Sequence, residues 1–321
     1  MRAWIGVCLL AAACGTTGRD VKEGPSGFGL PEARVRLEDG DLAGAMTLTA
    51  KYTSEHPDDA RGFYTLGTLL SMTGEWADAR IAFERCVSLD GYNGAAWNNL
   101  GLVDMALHET ERSLERFRRA ADAMPADALP LRNFATAATR LGHFQDAVEA
   151  LEDAAARAPG DRKVQLELAY AYARASKRDE AGAAFSELLR TNESDAAAHA
   201  GLANVLRQKG DLEGALPHAD RAVGLAPGDP VVLLVGALVH DFKDDAAGAE
   251  ALYKRAVEAG PTNLDVLYNY GMFLEQKQRP TEAVAQYRRY AELAGPDEAA
   301  LQDVKKRIER LAAAPPPPKE N

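Results

Sequence analysis

Small and large apolar residues recur along this chain with a period of 34 residues. In consecutive frames beginning at residues 26, 60, 94, 128, 162, 196, 230 and 264, the eighth position is always Ala or Gly. The twentieth position is Ala in every frame but one, and larger apolar residues recur at the seventh and twenty-fourth positions. Such a period is typical of a repeat architecture in which every unit forms the same motif.

The pattern within each frame predicts two antiparallel helices. Small residues allow helix backbones to approach closely, while larger apolar residues fill the space between hairpins. Gly40, Gly74, Gly142 and Gly210 mark the turn between the helices, where a left-handed backbone costs glycine little. Proline cannot continue a helix. It ends the second helix of several frames, at Pro57, Pro125, Pro159, Pro227 and Pro261.

This arrangement resembles the tetratricopeptide repeat family over residues 26–297. The resemblance implies an all-α, right-handed solenoid of helix-turn-helix repeats. The first frame departs from the pattern, with Glu32 at a normally apolar position and Thr49 in place of an aromatic residue, as in an atypical terminal repeat. The eight repeats are predicted at residues 26–59, 60–93, 94–127, 128–161, 162–195, 196–229, 230–263 and 264–297.

Two further segments follow the repeats. Residues 298–313 place apolar side chains at helical spacing, which predicts an amphipathic helix that caps the apolar end of the array. Residues 314–321 are a proline-rich tail. The run from Pro315 to Pro318 is compatible with a polyproline II segment that docks on an aromatic-lined groove, but a disordered tail is the preferred interpretation, and no function is assigned to it.

The N-terminal residues have the features of an export signal. Arg2 precedes a short apolar run, and small residues lead up to Cys14. Residues 1–13 therefore resemble a bacterial lipoprotein signal, which implies cleavage before Cys14 and acylation of its thiol, although Leu10 lies one position further out than is usual. Residues 14–31 are predicted to be a flexible tether. The alternative is an uncleaved apolar N-terminus of a cytoplasmic protein.

Charge and motif content exclude several classes of function. With 48 acidic against 37 basic residues the formal charge is −11, which disfavours nucleic acid. The three cysteines have neither disulfide-framework nor zinc-site spacing, and the six histidines are dispersed. His199 and His240 lie on apolar helix faces, where a hydrogen-bonded packing role is favoured over a ligand or base. We therefore predict no enzyme, cofactor, metal or small-molecule substrate.

The resemblance implies that function resides in a concave groove that binds a partner protein or peptide. In the family this groove is reached from positions two, five, six, nine, twelve and thirteen of each repeat. A neutral stretch is predicted in repeats two and three, at Tyr64, Thr68, Met72, Asn98, Asn99, Leu102 and Met105. A basic stretch is predicted in repeats four to six, opposed only by Glu167, at Arg132, Asn133, Arg140, Lys163, Tyr170, Arg174, Asn204 and Arg207. The alternative for the basic stretch is a set of charges paired with acids on neighbouring helices.

The first helix of repeat seven is apolar all round, which predicts a third, apolar stretch. We expect Leu234→Asp with Leu238→Asp to abolish partner capture without loss of helicity; loss of the fold would show that these residues are core. Asn99, Asn133 and Asn269 are also similar to an asparagine ladder that binds peptide backbone in the family. The predicted apolar stretch comprises Val231, Leu234, Val235, Leu238 and Phe242, with Tyr268 and Met272 beside them.

A lipid anchor combined with these repeats resembles lipoproteins that assist envelope machines, notably the pilotins of type IV pilus secretins and the lipoproteins of gliding-motility complexes. The expected location is the bacterial envelope, on the outer membrane facing the periplasm, because Gly15 follows Cys14 where an Asp would favour inner-membrane retention. Two alternatives remain: an adaptor or regulator of envelope biosynthesis enzymes, and a cytoplasmic co-chaperone if the signal is misinterpreted.

Overall fold

Helices account for all the regular secondary structure in the part of the chain that the structure describes. The computed structural model describes residues 29–295 and 300–313, so the predicted signal, Cys14, most of the tether and the proline-rich tail lie outside it. The helices are α1 Pro31–Glu38, α2 Leu42–Glu55, α3 Ala60–Thr73, α4 Trp76–Leu89, α5 Gly94–Ala106, α6 Thr110–Ala123, α7 Leu129–Arg140, α8 Phe144–Arg157, α9 Arg162–Arg174, α10 Arg178–Thr191, α11 Ala196–Gln208, α12 Leu212–Leu225, α13 Pro230–Phe242, α14 Ala246–Ala259, α15 Leu264–Gln276, α16 Pro280–Leu293 and α17 Leu301–Ala313.

Each predicted frame contains one helical hairpin. Odd-numbered helices from α1 to α15 are the first helices of the repeats, and even-numbered helices are the second. The all-α class and the helix-turn-helix repeat are thus confirmed. The first repeat is shortened, because α1 has only 8 residues. Leu30 is buried and its backbone N–H donates to Thr65 Oγ1 at 3.2 Å, so the last residues assigned to the tether belong to the first hairpin.

The described residues group into two compact units that meet between Ala175 and Ser176. Unit 1 contains α1 to α9, and unit 2 contains α10 to α17. The division falls between the two helices of repeat five. Within each unit, successive helices pack against one another as expected for a stack of hairpins.

The small residues of the eighth position sit where the two helices of a repeat approach most closely. All eight are buried. In three repeats this residue is glycine, and a Cβ there would lie 2.5 to 2.8 Å from the aromatic ring at position twenty-four of the same repeat. The glycine is therefore required by the ring. These pairs are Gly67 with Phe83, Gly101 with Phe117 and Gly271 with Tyr287.

Every repeat turns between its helices through a left-handed residue at position fifteen. The predicted glycines Gly40, Gly74, Gly142 and Gly210 have φ between 77° and 82°. The remaining four repeats adopt the same geometry without glycine, which costs about 1–2 kcal/mol for an ordinary residue. These non-glycine residues are His108, Ser176, Asp244 and Gln278, with φ of 64°, 61°, 61° and 58°.

The last position of a repeat caps the first helix of the next one. Asp161 and Asp229 each accept bonds from two backbone N–H groups of the helix that follows, and Asn93 and Asn263 accept one each. These bonds satisfy amide groups that have no partner within the helix. The sequence carries Asp or Asn at every one of these positions, a signal that the sequence analysis overlooked: Asp59, Asn93, Asp127, Asp161, Asp195, Asp229 and Asn263.

A recurring arginine ties each of several repeats to its predecessor. The side chain lies on the second helix, and its guanidinium donates to the carbonyl of the proline that ends the preceding repeat. This bond satisfies a carbonyl that proline leaves outside any helix. The three pairs are Arg85 to Pro57 at 2.8 Å, Arg255 to Pro227 at 3.1 Å and Arg289 to Pro261 at 3.0 Å.

The helix predicted after the last repeat is present as α17 and covers the end of unit 2. Leu301 and Val304 are buried, and Ile308 and Leu311 pack against the core of unit 2. Ala299, also placed on this helix by the sequence, lies outside the described residues. In residues 29–295 and 300–313, no helix combines the length and apolar character needed to cross a bilayer.

Candidate partner-binding surfaces

Side chains at positions five and six of successive first helices bond to one another in unit 1. Asn99 Nδ2 donates to the Tyr64 hydroxyl at 3.2 Å, and Asn133 Nδ2 donates to Asn98 Oδ1 at 2.8 Å. Each bond joins position five of one repeat to position six of the next. The row therefore forms a bonded floor along the first helices, and amide groups predicted for a partner are already engaged within the protein.

Positions five and six of successive repeats also form an ion pair, between Arg132 of the predicted basic stretch and Glu167 of the next repeat. Arg132 donates from Nε and Nη2 to the two carboxylate oxygens of Glu167, both at 2.7 Å. A two-bond pair of this kind fixes both side chains, and it removes Arg132 as an unopposed cation. For this residue the alternative of a paired charge is correct.

Other residues of the basic stretch lie on the helix face between positions five and six of their repeats. Arg140, Lys163, Tyr170 and Arg174 are exposed, and they occupy positions thirteen, two, nine and thirteen of their repeats. Three of the four are cationic. Unit 1 thus presents an exposed basic rim beside a floor of bonded polar groups.

Asn204 and Arg207, the two residues of the basic stretch that lie in unit 2, are partly buried. Arg207 Nη2 donates to Asn204 Oδ1 at 2.8 Å, and its guanidinium carbon lies 4.7 Å from the centre of the Phe242 ring. Burial lowers the pKa of Arg207. Its Nε is enclosed and has no hydrogen-bond partner within the described part of the chain. The Arg207 guanidinium therefore packs against the Phe242 ring, and little of its charge is accessible to a partner.

The apolar stretch of unit 2 is interrupted, which corrects the prediction of a continuous exposed face on α13. Leu234 is only 7% exposed and belongs to the core, and Leu238 packs against that core. Val231 at the first turn and Phe242 at the last are 47% and 54% exposed. Because these two residues are eleven positions apart, about 16 Å of helix separates them. For Leu234 the alternative of covered core is correct.

Repeat eight contributes one exposed apolar side chain and two bonded ones. Met272 is exposed, whereas Tyr268 is partly buried and its hydroxyl donates to Asp303 Oδ2 at 3.1 Å. Asn269 Nδ2 donates to the carbonyl of Asp265 in its own helix at 2.8 Å. Asn269 therefore does not continue the bonded row of Asn99 and Asn133, so these three residues do not form one ladder.

Two acids at position twelve were missed by the sequence analysis. Asp241 lies 3.2 Å from Lys277 Nζ, and Glu275 bonds to Arg307, Arg310 and the Tyr287 hydroxyl. Position twelve was among the groove positions already considered, so inspecting that column for acids would have found both. The first helices of unit 2 thus carry paired charges as well as apolar groups.

The two histidines assigned to packing are hydrogen-bonded. His199 Nδ1 lies 2.8 Å from His218 Nδ1, and His240 lies 2.7 Å from Asp245 and 3.1 Å from Asp220. Burial and the neighbouring His199 lower the pKa of His218. Within the described ranges, no group of three or more His, Cys, Asp or Glu side chains is arranged so that it could hold a metal ion.

The buried thiol of unit 1, Cys86, is unreactive because burial disfavours its charged thiolate form. Cys86 is fully enclosed, and burial raises its pKa to about 12. A thiol of this kind is protonated at neutral pH and is a poor nucleophile.

A sequence-family model identifies the repeats independently of their geometry. The model described as tetratricopeptide repeat matches residues 132–190, 166–230 and 236–298, which together make up half of the chain. The chain belongs to the tetratricopeptide repeat family. The first helices described above therefore belong to a fold whose members use the surface of their stacked repeats for binding.

Individual tetratricopeptide relatives are distant and mostly much longer. The chain is 24% identical over 241 residues to the human protein O-mannosyl-transferase TMTC3 and 27% identical over 246 residues to Cellulose synthase operon protein C of Pseudomonas fluorescens. Each alignment includes 73% of this chain, but only 26% and 17% of those proteins. The matches thus involve a minor part of each relative.

Solved structures support the same fold. A tetratricopeptide repeat protein from Parabacteroides merdae matches 79% of this chain and 98% of its own, with a TM-score of 0.69 and 14% identity. YrrB, described as a tetratricopeptide repeat protein with an unusual peptide-binding site, matches 58% of this chain and 95% of its own, with a TM-score of 0.51 and 20% identity. At these identities the likeness concerns the fold alone.

Proposed function

We propose that this protein is a lipid-anchored scaffold of the bacterial envelope that binds a partner polypeptide along its first helices, and that it acts by binding rather than by catalysis. The observation that carries the binding proposal is the division of the first helices into a bonded floor and an exposed rim. In unit 1, positions five and six bond within the protein, whereas in both units positions two, nine and thirteen carry the exposed cations or apolar groups. A partner would contact this rim.

The chemistry of the rim differs between the units. In unit 1 the exposed Arg140, Lys163 and Arg174 favour an acidic segment. In unit 2 the exposed Val231, Phe242 and Met272 favour apolar side chains, with Phe242 the strongest anchor because an aromatic ring offers the largest contact area. Binding to unit 1 should weaken with added salt, and binding to unit 2 should not.

Site-specific crosslinking tests this assignment. A photoreactive residue in place of Phe242 should capture a partner in cell envelopes, and Phe242→Ser with Met272→Ser should abolish capture by a probe placed at Val231. A probe in place of Leu293 is the matched control, because Leu293 is a similarly exposed apolar residue on the second helix α16. Equal capture from Phe242 and Leu293 would show that the first helices are not the binding face.

The lipid anchor is a separate part of the proposal and rests on the N-terminal sequence. Cys14 follows a short apolar run and three small residues. Labelled palmitate should enter the wild-type protein and not Cys14→Ser. Label that persists in Cys14→Ser would show that Cys14 is not the acylated residue, whereas label absent from both proteins would remove the anchor and favour a cytoplasmic protein.

The identity of the partner separates two versions of the proposal. If the protein assists an envelope machine, a pilus secretin or motility ring should dominate the material crosslinked at Phe242. The similarity to Cellulose synthase operon protein C favours a second version, in which the protein is an adaptor for an envelope polysaccharide synthase. Enrichment of synthase subunits over secretin or ring subunits would decide for the adaptor.

A further inference from the structure

A second candidate surface lies in unit 1, away from the rim of the first helices. It is a cleft of about 700 Å³ between the second helices α4 and α6, with the loop from α4 to α5 forming one wall. Its volume is in the range of known ligand sites. None of the residues that line this cleft belongs to the exposed rim described above. They are Glu84, Val87, Ser88, Gly91, Tyr92, Trp97, Arg116, Arg119, Asp122 and Ala123.

An aromatic side chain stands almost entirely in solvent at this cleft. Tyr92 is 90% exposed, the largest exposed fraction of any large apolar side chain in the described residues. The loop holds its backbone in place, since the Tyr92 N–H donates to Asp90 Oδ1 at 3.1 Å. Such exposure leaves the face of a large ring open to contact with a partner.

Opposite the loop, two arginines stack on the indole of Trp97. The guanidinium carbons of Arg116 and Arg119 lie 5.4 and 4.8 Å from the centres of the Trp97 ring system, and Trp97 Nε1 donates to the Gly91 carbonyl at 2.9 Å. Arg119 uses Nε for Glu115, and Arg116 uses Nε and Nη2 for Asp104 and Glu84. Because a guanidinium carries five N–H groups, both arginines retain donors.

These groups match a proline-rich segment in an extended polyproline II conformation. Proline has no N–H, and polyproline II has no internal hydrogen bonds, so such a segment presents carbonyl acceptors and apolar rings and needs donors only. The cleft supplies donors from Arg116 and Arg119, a ring surface from Tyr92 and apolar contact from Val87 and Ala123. Aromatic-lined grooves are the general means of recognising such segments.

The carboxylates of the cleft add a preference for a nearby cation. Glu84 already pairs with Arg112 and Arg116, but Asp122, exposed at the edge of the cleft, has no bonded partner among residues 29–295 and 300–313. A basic residue beside the prolines would place its charge near Asp122. The sequence contains a segment of this composition at Pro315 to Pro318, followed directly by Lys319.

We propose that the cleft at Tyr92 binds a polyproline II segment followed by a basic residue, and that its occupant is the segment of residues 314–321 from a second copy of this chain. This site goes beyond the proposed function, because it lies mainly on the second helices of repeats two and three. Its ligand is also proline-rich, whereas the rim was proposed to bind acidic or apolar segments. It gives the proline-rich tail a role in recognition.

Fluorescence anisotropy with a labelled peptide of sequence APPPPKEN tests the proposal. The receptors are the full-length protein and a full-length variant carrying P315S, P316S, P317S and P318S, in which the chain's own segment cannot compete. We expect saturable binding to the variant, unchanged in Tyr92→Phe and at least about tenfold weaker in Tyr92→Ala. Ile81→Ala is the matched control, because Ile81 is an exposed apolar residue of α4 outside the cleft, and it should bind normally.

The cation preference has its own test. Asp122→Asn should weaken binding of the peptide but should not weaken binding of a peptide that carries Lys319→Ala. The affinity lost when both changes are made should therefore be no larger than the affinity lost with either change alone. Tyr92 and Asp122 are exposed, so these substitutions should leave the circular dichroism unchanged.

Several outcomes would overturn the proposal. One is the absence of saturable binding to the tail variant up to about 1 mM peptide; another is binding that Tyr92→Ala leaves intact. Binding that is lost in Phe242→Ala would move the peptide to unit 2. A soluble oligosaccharide that binds in a Tyr92-dependent manner where the peptide does not would reassign the cleft to a glycan.

Discussion

The contact between Gly101 and Phe117 gives the sharpest test of how these hairpins pack. Gly101 lies in α5, and a Cβ at this position would be 2.6 Å from Cε1 of Phe117 and 2.8 Å from its Cδ1. Ordinary van der Waals contact begins near 3.4 Å. In Gly101→Ala the ring or the helix must therefore shift by about 0.8 Å in a region where Phe117 is fully buried.

Two opposing terms set the expected magnitude. Overpacking a well-packed core costs about 1–3 kcal/mol, whereas replacing glycine by alanine inside a helix contributes about 0.8–1 kcal/mol of stability. Gly101→Ala should therefore destabilise the protein by up to about 2 kcal/mol. Phe117→Leu alone should also destabilise it through a cavity. Together the two changes resemble the native pair of Ala135 and Leu151, so the double variant should be more stable than the sum predicts by about 1 kcal/mol.

Urea denaturation followed by circular dichroism measures these differences as shifts of the midpoint. Gly182→Ala is the matched control, because this glycine also lies inside a helix, but the nearest atom to its Cβ would be Val205 Cγ1 at 3.7 Å. That variant should be stabilised by about 0.5–1 kcal/mol. If Gly101→Ala behaved like Gly182→Ala, or if the double variant were additive, the glycine would not be required by the ring.

Three further results are expected. Gln278→Gly should raise the free energy of unfolding by about 1 kcal/mol and so shift the urea midpoint upward, because Gln278 has a φ of 58°. An unchanged midpoint would mean that the left-handed turn carries no strain. Hydrogen bonds from Arg61 and Tyr52 hold the pKa of Asp59 far below 3.8, so wild type should lose more stability than Asp59→Asn as the pH falls below about 4; parallel pH curves would contradict this. Leu234→Asp should unfold part of unit 2 while Phe242→Ser should not, as measured by circular dichroism, since only Leu234 is core.

The fold was predictable because its determinants repeat. Each position of the 34-residue frame is sampled eight times, so the buried residues at position eight stand out against a variable background. The turn at position fifteen was predicted only where glycine marks it. His108 and Ser176 take the same conformation because the flanking helices impose it, and their residue types do not predict a left-handed backbone.

The candidate surface was less predictable, because exposure depends on how neighbouring helices cross. Leu234 and Phe242 are both apolar residues of α13, yet the first is buried and the second is open. Arg132 was correctly placed on the first helices, but its pairing with Glu167 depends on the offset between repeats. The cleft at Tyr92 went unnoticed, since it is built mainly from second helices and from the loop between α4 and α5, which the groove positions do not include.

The bonded row of positions five and six has a consequence for how such a chain changes in evolution. Loss of residues 94–127 as a unit would bring Tyr64 opposite Asn133, a tyrosine–asparagine pair like the present pair of Tyr64 and Asn99. Loss of residues 128–161 would bring Asn98 opposite Glu167, again a donor beside an acceptor. Either of these two repeats can thus be deleted without leaving a polar group of the row unpaired, whereas a deletion whose length is not a multiple of 34 residues would leave the row mismatched.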